Sequence, residues 1–557
     1  MDRIWLRHYP KGVPAEIDVD EYASVREVFE ESCRKFATQP AFACMGRTIT
    51  FADLDALSAT FGAWLQSIGC TKGTRVALMM PNILQYPICL FGTLRAGCTV
   101  VNVNPLYTAR ELEHQLNDSG AEIIVVVENF ARTLQDVIAK TRLRQVVVTS
   151  IGELLALKGR IVDLVLRRIK KAVPKWSLPG SISFSRAIRE GRKFSLSRVP
   201  IGHDDLAFLQ YTGGTTGIAK GAMLLHGNIV ANMLQARAWV RPVLDGNRRE
   251  VILTPLPLYH IFSLTANCLV FMSVGGENVL IPNPRDIPRL VKVMRRYRFT
   301  AITGVNTLFN ALLNNPNFSR LNFSTLRLAL GGGMAVQEAV AKRWKAVTGV
   351  TLVEAYGLTE TSPAATMNPL DSAEYTGTIG LPVPSTDVVL RDDAGKDVPL
   401  GQPGEICIKG PQVMAGYWQR PDETANVMTP DGYLMTGDIG TMDERGYIRI
   451  VDRKKDMILV SGFNVYPNEI EGVVVMHPGV LECAAVGIPD RKSGEAVKLY
   501  VVRKDLALTA ADVITHCRDH LTGYKCPRDV EFRRDLPKSN VGKILRRELR
   551  DEARRVA

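Results

Sequence analysis

Between Phe51 and Glu354 the sequence keeps exchanging one hydrophobic period for another, and few folds satisfy that alternation. Leu54, Leu57, Phe61, Leu65 and Ile68 form a 3.6-residue stripe that Gly69 stops, and an unbroken apolar run at 76–80 follows. The exchange repeats at 83–95 and 99–103, at 111–117 and 123–127, and again through 251–254, 288–297, 300–303, 326–330 and 351–354. A strand that is apolar at every position must be buried on both faces, so helices have to cover it. The pattern predicts βαβ units and helix-covered parallel or mixed sheets, an α/β architecture.

The chain then changes character. Residues 376–451 are rich in Gly and Pro with short strand signals at 404–410 and 446–451, which predicts a smaller β-rich subdomain. Beyond it a helix near 467–475, strands near 483–486 and 497–502 and a helix at 510–520 predict an α+β unit. With 557 residues, more than one domain is expected. We place the boundary within 453–456, giving a large domain 1–454 and a small C-terminal domain 455–557.

Composition removes several alternatives. Hydrophobic residues at 46% and charged residues at 23% exclude disordered and collagen-like chains. A net charge of +12 suits anionic partners without choosing among nucleotides, coenzymes and lipid head groups, and no nucleic-acid-binding motif accompanies it. Ten Cys without a C-x-x-C pair predict free thiols in a reducing, cytoplasmic setting. The first ten residues lack the apolar core of an export signal, and the apolar stretch 261–274 is too short to span a bilayer. One segment, 158–175, combines Lys158, Arg160, Arg167, Arg168, Lys170, Lys171 and Lys175 with Val162, Val165, Leu166, Ile169 and Val173 at helical spacing. Two readings stay open for it: a peripheral contact with an anionic membrane surface, here the cytoplasmic face of the inner membrane, or a solvated helix packed on its own domain.

The sharpest chemical signal is Tyr211-Thr-Gly-Gly-Thr-Thr-Gly-Ile-Ala-Lys-Gly221, after a strand signal at 206–210 and before a helical run at 228–239. Gly213, Gly214 and Gly217 let backbone N–H groups approach phosphate oxygens. The hydroxyls of Thr212, Thr215 and Thr216 add donors, and Lys220 adds charge. No Gly-Lys-Ser/Thr completes a Walker loop, so an ordinary P-loop NTPase is disfavoured. No Ser-His-Asp or Cys-His arrangement is evident, which leaves positioning and electrostatics as the catalytic means.

Together with Gly331-Gly-Gly-Met334, Glu354-Ala-Tyr-Gly-Leu-Thr-Glu360, Tyr433-Leu-Met-Thr-Gly-Asp438, Val451-Asp-Arg-Lys-Lys-Asp456 and Pro537-Lys-Ser-Asn-Val-Gly-Lys543, this loop resembles the adenylate-forming superfamily over nearly the whole chain. The resemblance implies a large domain and a small mobile lid. It implies ATP binding by Thr212 to Gly217 and Lys220, by Gly332 and Gly333, and by Glu354, Ala355, Tyr356, Gly357 and Thr359, with Tyr356 stacked on adenine. It gives the ribose to Asp438 and Arg453, Mg²⁺ to Glu360 and Thr212, and catalysis to Lys543, Glu360 and Thr212. The acyl group is expected at His260, Gly304, Val305, Gly331 and Met334, the hinge at Lys455, and CoA at Ser461, Gly462 and Phe463. Ala219 departs from the Pro that many relatives carry before the lysine, which implies a less rigid loop.

The stretch 431–455 is similar to the fatty acyl-CoA branch, and 456–471 and 521–526 to bacterial long-chain-fatty-acid CoA ligases. The reaction implied joins a fatty acid to CoA at the expense of ATP through an acyl-adenylate. Acyl-AMP ligases that load a carrier protein and medium-chain or aryl acyl-CoA synthetases remain alternatives, and a homodimer is left open. Each buried CH₂ of an alkyl chain is worth about 0.8 kcal/mol, so an apolar channel built from 261–272 and 304–309 would favour long chains.

Overall fold

The computed structural model describes residues 3–212, 219–244, 248–461, 463–490, 493–539 and 542–556. Gly213, Gly214, Thr215, Thr216, Gly217 and Gly462 lie outside the described residues. The alternating pattern of the first 357 residues folds as expected. Thr50 opens the helix Phe51–Ser67 with a capping box: its hydroxyl accepts the Asp53 N–H, and the Asp53 carboxylate accepts the Thr50 N–H at 2.9 Å. Beyond Gly69, which turns the chain at φ +83°, comes the strand Arg75–Met79. Helices Gln85–Arg95 and Ala109–Ser119 likewise alternate with strands Thr99–Asn102 and Ile123–Val127.

Two large sheets result. One orders Ile182–Ser183, Gln145–Thr149, Ile123–Val127, Arg75–Met79, Thr99–Asn102, Leu206–Thr212 and Lys220–Leu225, parallel except for its last pair. The other has a parallel centre of Leu352–Gly357, Leu328–Gly331, Ala301–Gly304, Val251–Thr254, Glu277–Leu280 and Pro40–Cys44, with antiparallel strands at both edges. Pro40–Cys44 and its hairpin partner Arg47–Thr50 thus join strands made more than 200 residues later. Where the sequence leads from the glycine-rich stretch to a helix, a strand Lys220–Leu225 intervenes, antiparallel to Leu206–Thr212 with Thr212 opposite Lys220. Ala222 and Leu224 are fully buried on that strand. One continuous apolar core joins the two sheets, and within it the buried rings of Phe29 and Phe91 stack 4.1 Å apart.

The Gly- and Pro-rich region forms the four-stranded antiparallel sheet Asp387–Arg391, Gly404–Lys409, Leu434–Met442 and Ile448–Arg453. A mixed five-stranded sheet then packs with helices Pro467–Val474 and Ala510–His520 around a separate core containing Val465, Ile470, Leu499 and Val513. All ten Cys are free thiols.

The basic segment forms the helix Ala156–Leu164 and a π-helical turn Val165–Ile169. Part of it packs on its own domain: Gly159 touches Gly152, where a Cβ would lie 1.9 Å from the Gly152 carbonyl oxygen, and Arg167 Nη2 binds Glu128 at 2.8 Å. The opposite face leaves Leu157, Ile161, Leu164 and Ile169 exposed by 80%, 65%, 58% and 73%. Among the described residues no helix is long and apolar enough to cross a membrane.

Phe29→Ala removes one ring of the buried stack and should destabilise the large domain by about 3–5 kcal/mol. Denaturant unfolding followed by Trp fluorescence measures this, and a loss below about 1 kcal/mol would mean that the pocket collapses around the gap.

Candidate active site

Three adjacent parallel strands end together, with Gly304 opposite Gly331 and Gly331 opposite Glu354. The crevice beyond the carboxyl ends of parallel strands is where this class of sheet takes ligands. The expected acyl and nucleotide residues Gly304–Val305, Gly331–Met334 and Glu354–Gly357 therefore arrive side by side. Close packing explains the glycines: at Gly357 a Cβ would lie 1.7 Å from the Pro363 carbonyl oxygen, and Gly333 adopts φ +76°. Gly332 faces the Phe262 ring, which a Cβ there would meet at 3.1 Å.

Glu354 turns its carboxylate to the Val336 N–H at 2.8 Å, and Tyr375 donates to the Val336 carbonyl at 2.5 Å. The Glu354 side chain thus holds the loop after Gly331–Met334, and burial pushes its carboxyl up to about 7. Tyr356, two residues on, donates to Asp438 Oδ2 at 2.6 Å. Asp438 stands opposite Arg453 across the antiparallel pair, and Arg453 Nε lies 3.2 Å from Asp438 Oδ1. Burial first, and then the Asp438 charge, drives the Tyr356 phenol far above its ordinary value.

On the other wall, both strands of the hairpin pack against the turn Thr359–Thr361. Lys220 forms an ion pair with Glu423 and sits 5.2 Å above the Tyr417 ring. Tyr417 donates to Glu360 Oε1 at 2.7 Å. Behind them Asp118 accepts from Tyr211 at 2.7 Å and from Arg420 at 2.6 Å, tying the hairpin base to the segment 417–420. These supporting residues carry no signal in the sequence, since each is an isolated polar side chain far from its partner along the chain.

The C-terminal segment reaches into the same crevice. Ser539 N–H donates to the Lys543 carbonyl at 2.7 Å, Gly542 adopts φ +85°, and Thr307 donates to the Gly542 carbonyl at 3.1 Å. These contacts place Lys543, whose amine is pushed down to about 7, by burial above all. The neighbouring Arg453, Arg546 and Lys455 cations contribute to that lowering, and Asp438 opposes them. His260, the N-cap of a short helix starting at Ile261, is pushed down to about 4 by burial and then by Lys543, so it stays neutral. His226, assigned no chemistry from sequence, accepts the Val25 N–H at 3.2 Å and is also neutral, with burial pushing it down to about 3.

The remaining expected positions lie on the lid side. Lys455 is exposed, and its carbonyl accepts from Arg550 at 3.0 Å. Ser461 and Phe463 are exposed, and the Phe463 ring stacks on Tyr524 at 4.9 Å. A cleft of about 380 Å³ lined by Thr376, Thr378, Thr441, Asp443, Arg445, Tyr447 and Arg449 lies at the opposite end of the 434–453 hairpin from Asp438 and Arg453, and its polar lining does not suit an alkyl chain.

A fold whose parallel strands end on a glycine-lined crevice, closed by a lysine from a separate C-terminal unit, defines a class. The profile of the AMP-binding enzyme family matches residues 29–418, and that of the AMP-binding enzyme C-terminal domain matches 469–543. The chain belongs to this family, the adenylate-forming superfamily. It is 61% identical over 554 residues to a long-chain-fatty-acid–CoA ligase of Yersinia pestis, covering 99% of this chain and 98% of that one. A Bacillus subtilis protein of the same name is 36% identical over 551 residues, 98% of each chain. Among solved structures, an anthranilate CoA ligase in complex with anthranoyl-AMP superposes with a TM-score of 0.85 at 25% identity, covering 97% of this chain and 99% of that one. ATP-bound MatB from Rhodopseudomonas palustris gives 0.80 at 29%, covering 96% and 99%.

Competitive acetylation read by mass spectrometry should find Lys543 half-reactive near pH 7, far below the value of about 10.4 for a hydrated lysine. Half-reaction above pH 10 would mean that water reaches the amine.

Proposed function

We propose that this chain is a long-chain-fatty-acid–CoA ligase. ATP and a fatty acid give acyl-AMP and pyrophosphate, and CoA then takes the acyl group and releases AMP. The observation that carries the reading is the strand-end crevice in which Arg453 and Tyr356 share Asp438, at 3.2 and 2.6 Å, and the buried Lys543 amine lies within reach of the Arg453 and Asp438 charges. In the first step a carboxylate oxygen bonds to the α-phosphorus while the bond to the β-phosphate oxygen breaks. Two anions must meet, and preorganised positive charge offsets their repulsion. Lys543 faces the carboxylate and α-phosphate, and anion binding restores the charge that burial disfavours.

Asp438 and Arg453 hold the ribose hydroxyls, and Tyr356 lies along adenine with its phenol fixed by Asp438. Lys220 and the hairpin at Thr212 hold the outer phosphates. Glu360 and Thr212 offer a carboxylate and a hydroxyl, hard oxygen donors that suit Mg²⁺ shared with substrate phosphates, and only one Glu360 oxygen is engaged by Tyr417. Bound there, Mg²⁺ would neutralise polyphosphate charge. Neutral His260 borders the acyl carboxylate beside Val305 and Met334. In the second step the CoA sulfur bonds to the acyl carbon as the bond to AMP breaks. Lys455 is the pivot on which the domain 455–557 turns to bring Ser461, Gly462 and Phe463 to the thiol.

The exposed Leu157, Ile161 and Leu164 beside Arg160 and Arg168 support a peripheral contact with anionic lipid. Replacing the three with Ser should weaken cosedimentation with phosphatidylglycerol vesicles at least about tenfold. Unchanged binding would exclude this face.

The function is tested by AMP release across C4 to C18 acids with and without CoA, where long acids with CoA should turn over fastest. Lys543→Ala should lower pyrophosphate release at least about 100-fold while thioester formation from supplied acyl-AMP persists. Normal pyrophosphate release in that variant would remove Lys543 from the first step.

A further inference from the structure

Arg546 reads in the sequence as the first of a run of solvated basic residues on a C-terminal helix, with Arg547, Arg550, Arg554 and Arg555. The structure turns it inward, at 15% side-chain exposure. Its Nε donates to Glu471 Oε1 at 2.8 Å, its Nη2 to Glu471 Oε2 at 2.5 Å and to the Asn468 side chain, and its Nη1 to Asp452 Oδ1 at 3.4 Å. Asp456 Oδ2 lies 3.8 Å from the same Nη1. Glu471, Asn468 and Asp456 follow Lys455, whereas Asp452 precedes it, on the strand Ile448–Arg453 of the four-stranded sheet.

Asp452 is fully buried and reaches the lid twice. Besides Arg546, its Oδ2 accepts the Asn468 N–H at 2.9 Å, so a carboxylate of one unit caps the helix Pro467–Val474 of the other. Its neighbour Arg453 binds Asp438, and Arg546 stands three residues beyond Lys543. A single ionic joint therefore links the strand that carries Arg453 to the turn that carries Lys543.

We propose that Asp452 and Arg546 are positioning residues that hold the C-terminal unit with Lys543 in the crevice, so that they serve carboxylate activation and not thiol transfer. The inference rests on the ligase reading above. A buried carboxylate that has lost its partner is costly, so the joint favours one orientation of the two units sharply over others. Rotation about Lys455 would carry Arg546 and the Asn468 N–H away from Asp452, which stays with its sheet. The thiol step, performed in a different orientation, would then not use these contacts.

Asp452→Asn keeps the shape and removes the charge, and Arg546→Gln removes the cation. Each variant is assayed for pyrophosphate release from ATP and oleate, and separately for oleoyl-CoA formation from supplied oleoyl-AMP and CoA. The expected result is a fall of tenfold or more in the first rate and less than twofold in the second. Arg546→Lys should recover part of the first rate, and the double variant Asp452→Asn/Arg546→Gln should be no slower than the worse single one. Equal losses in both half-reactions would assign the pair a general structural role and overturn the proposal, as would two unchanged rates. Should Asp452→Asn fail to fold, the comparison of Arg546→Gln with Arg546→Lys decides it alone. Wild-type enzyme that forms no oleoyl-AMP would instead overturn the ligase reading, so the two failures are distinct.

Discussion

One buried carboxylate, Asp438, serves Arg453 and Tyr356 beside a buried lysine, Lys543, and the rest of the site is arranged around that imbalance. Asp438 is shared between the Tyr356 phenol and Arg453, so it only partly offsets the charge of Lys543. Burial, and then the like charge of Arg453, disfavours a cation there, and the lysine amine responds by holding its proton less tightly. The crevice thus favours an anionic ligand. The neutral His260 and the closely packed glycines add no competing anion.

Helix-covered sheets were legible in the sequence because hydrophobic period is a local property. The helix Phe51–Ser67 and the strand Ile123–Val127 are each specified by their own side chains, and Ala510–His520 was read with its observed ends. Pairing was not legible. Nothing in Pro40–Cys44 indicates that its neighbour is Glu277–Leu280. The strand Lys220–Leu225 was missed because it opens on Lys-Gly and lacks β-branched residues, so its strand state comes from the partner Leu206–Thr212 rather than from propensity.

The site shows the same division. Lys543, Tyr356, Asp438, Arg453 and Glu360 stood out because they sit in short, dense motifs, and in the structure the first four crowd around one point while Glu360 stands on the wall with Lys220 and Tyr417. Asp118, Tyr417, Glu423, Asp452 and Arg546 did not. Each is an unremarkable polar residue until the fold supplies a partner up to 302 residues away, as for Asp118 with Arg420. Arg546 was hidden by its company: the exposed Arg547, Arg554 and Arg555 on the same helix make an inward-turned arginine look ordinary.

The interleaving of the second large sheet bears on how the chain is made. Pro40–Cys44 and Arg47–Thr50 emerge first from the ribosome, yet the strand that completes their hydrogen bonding, Glu277–Leu280, follows more than 200 residues later. At synthesis rates of about 5–20 residues per second, that hairpin waits on the order of ten seconds or more with an open edge. These early strands therefore keep an unpaired edge through much of synthesis.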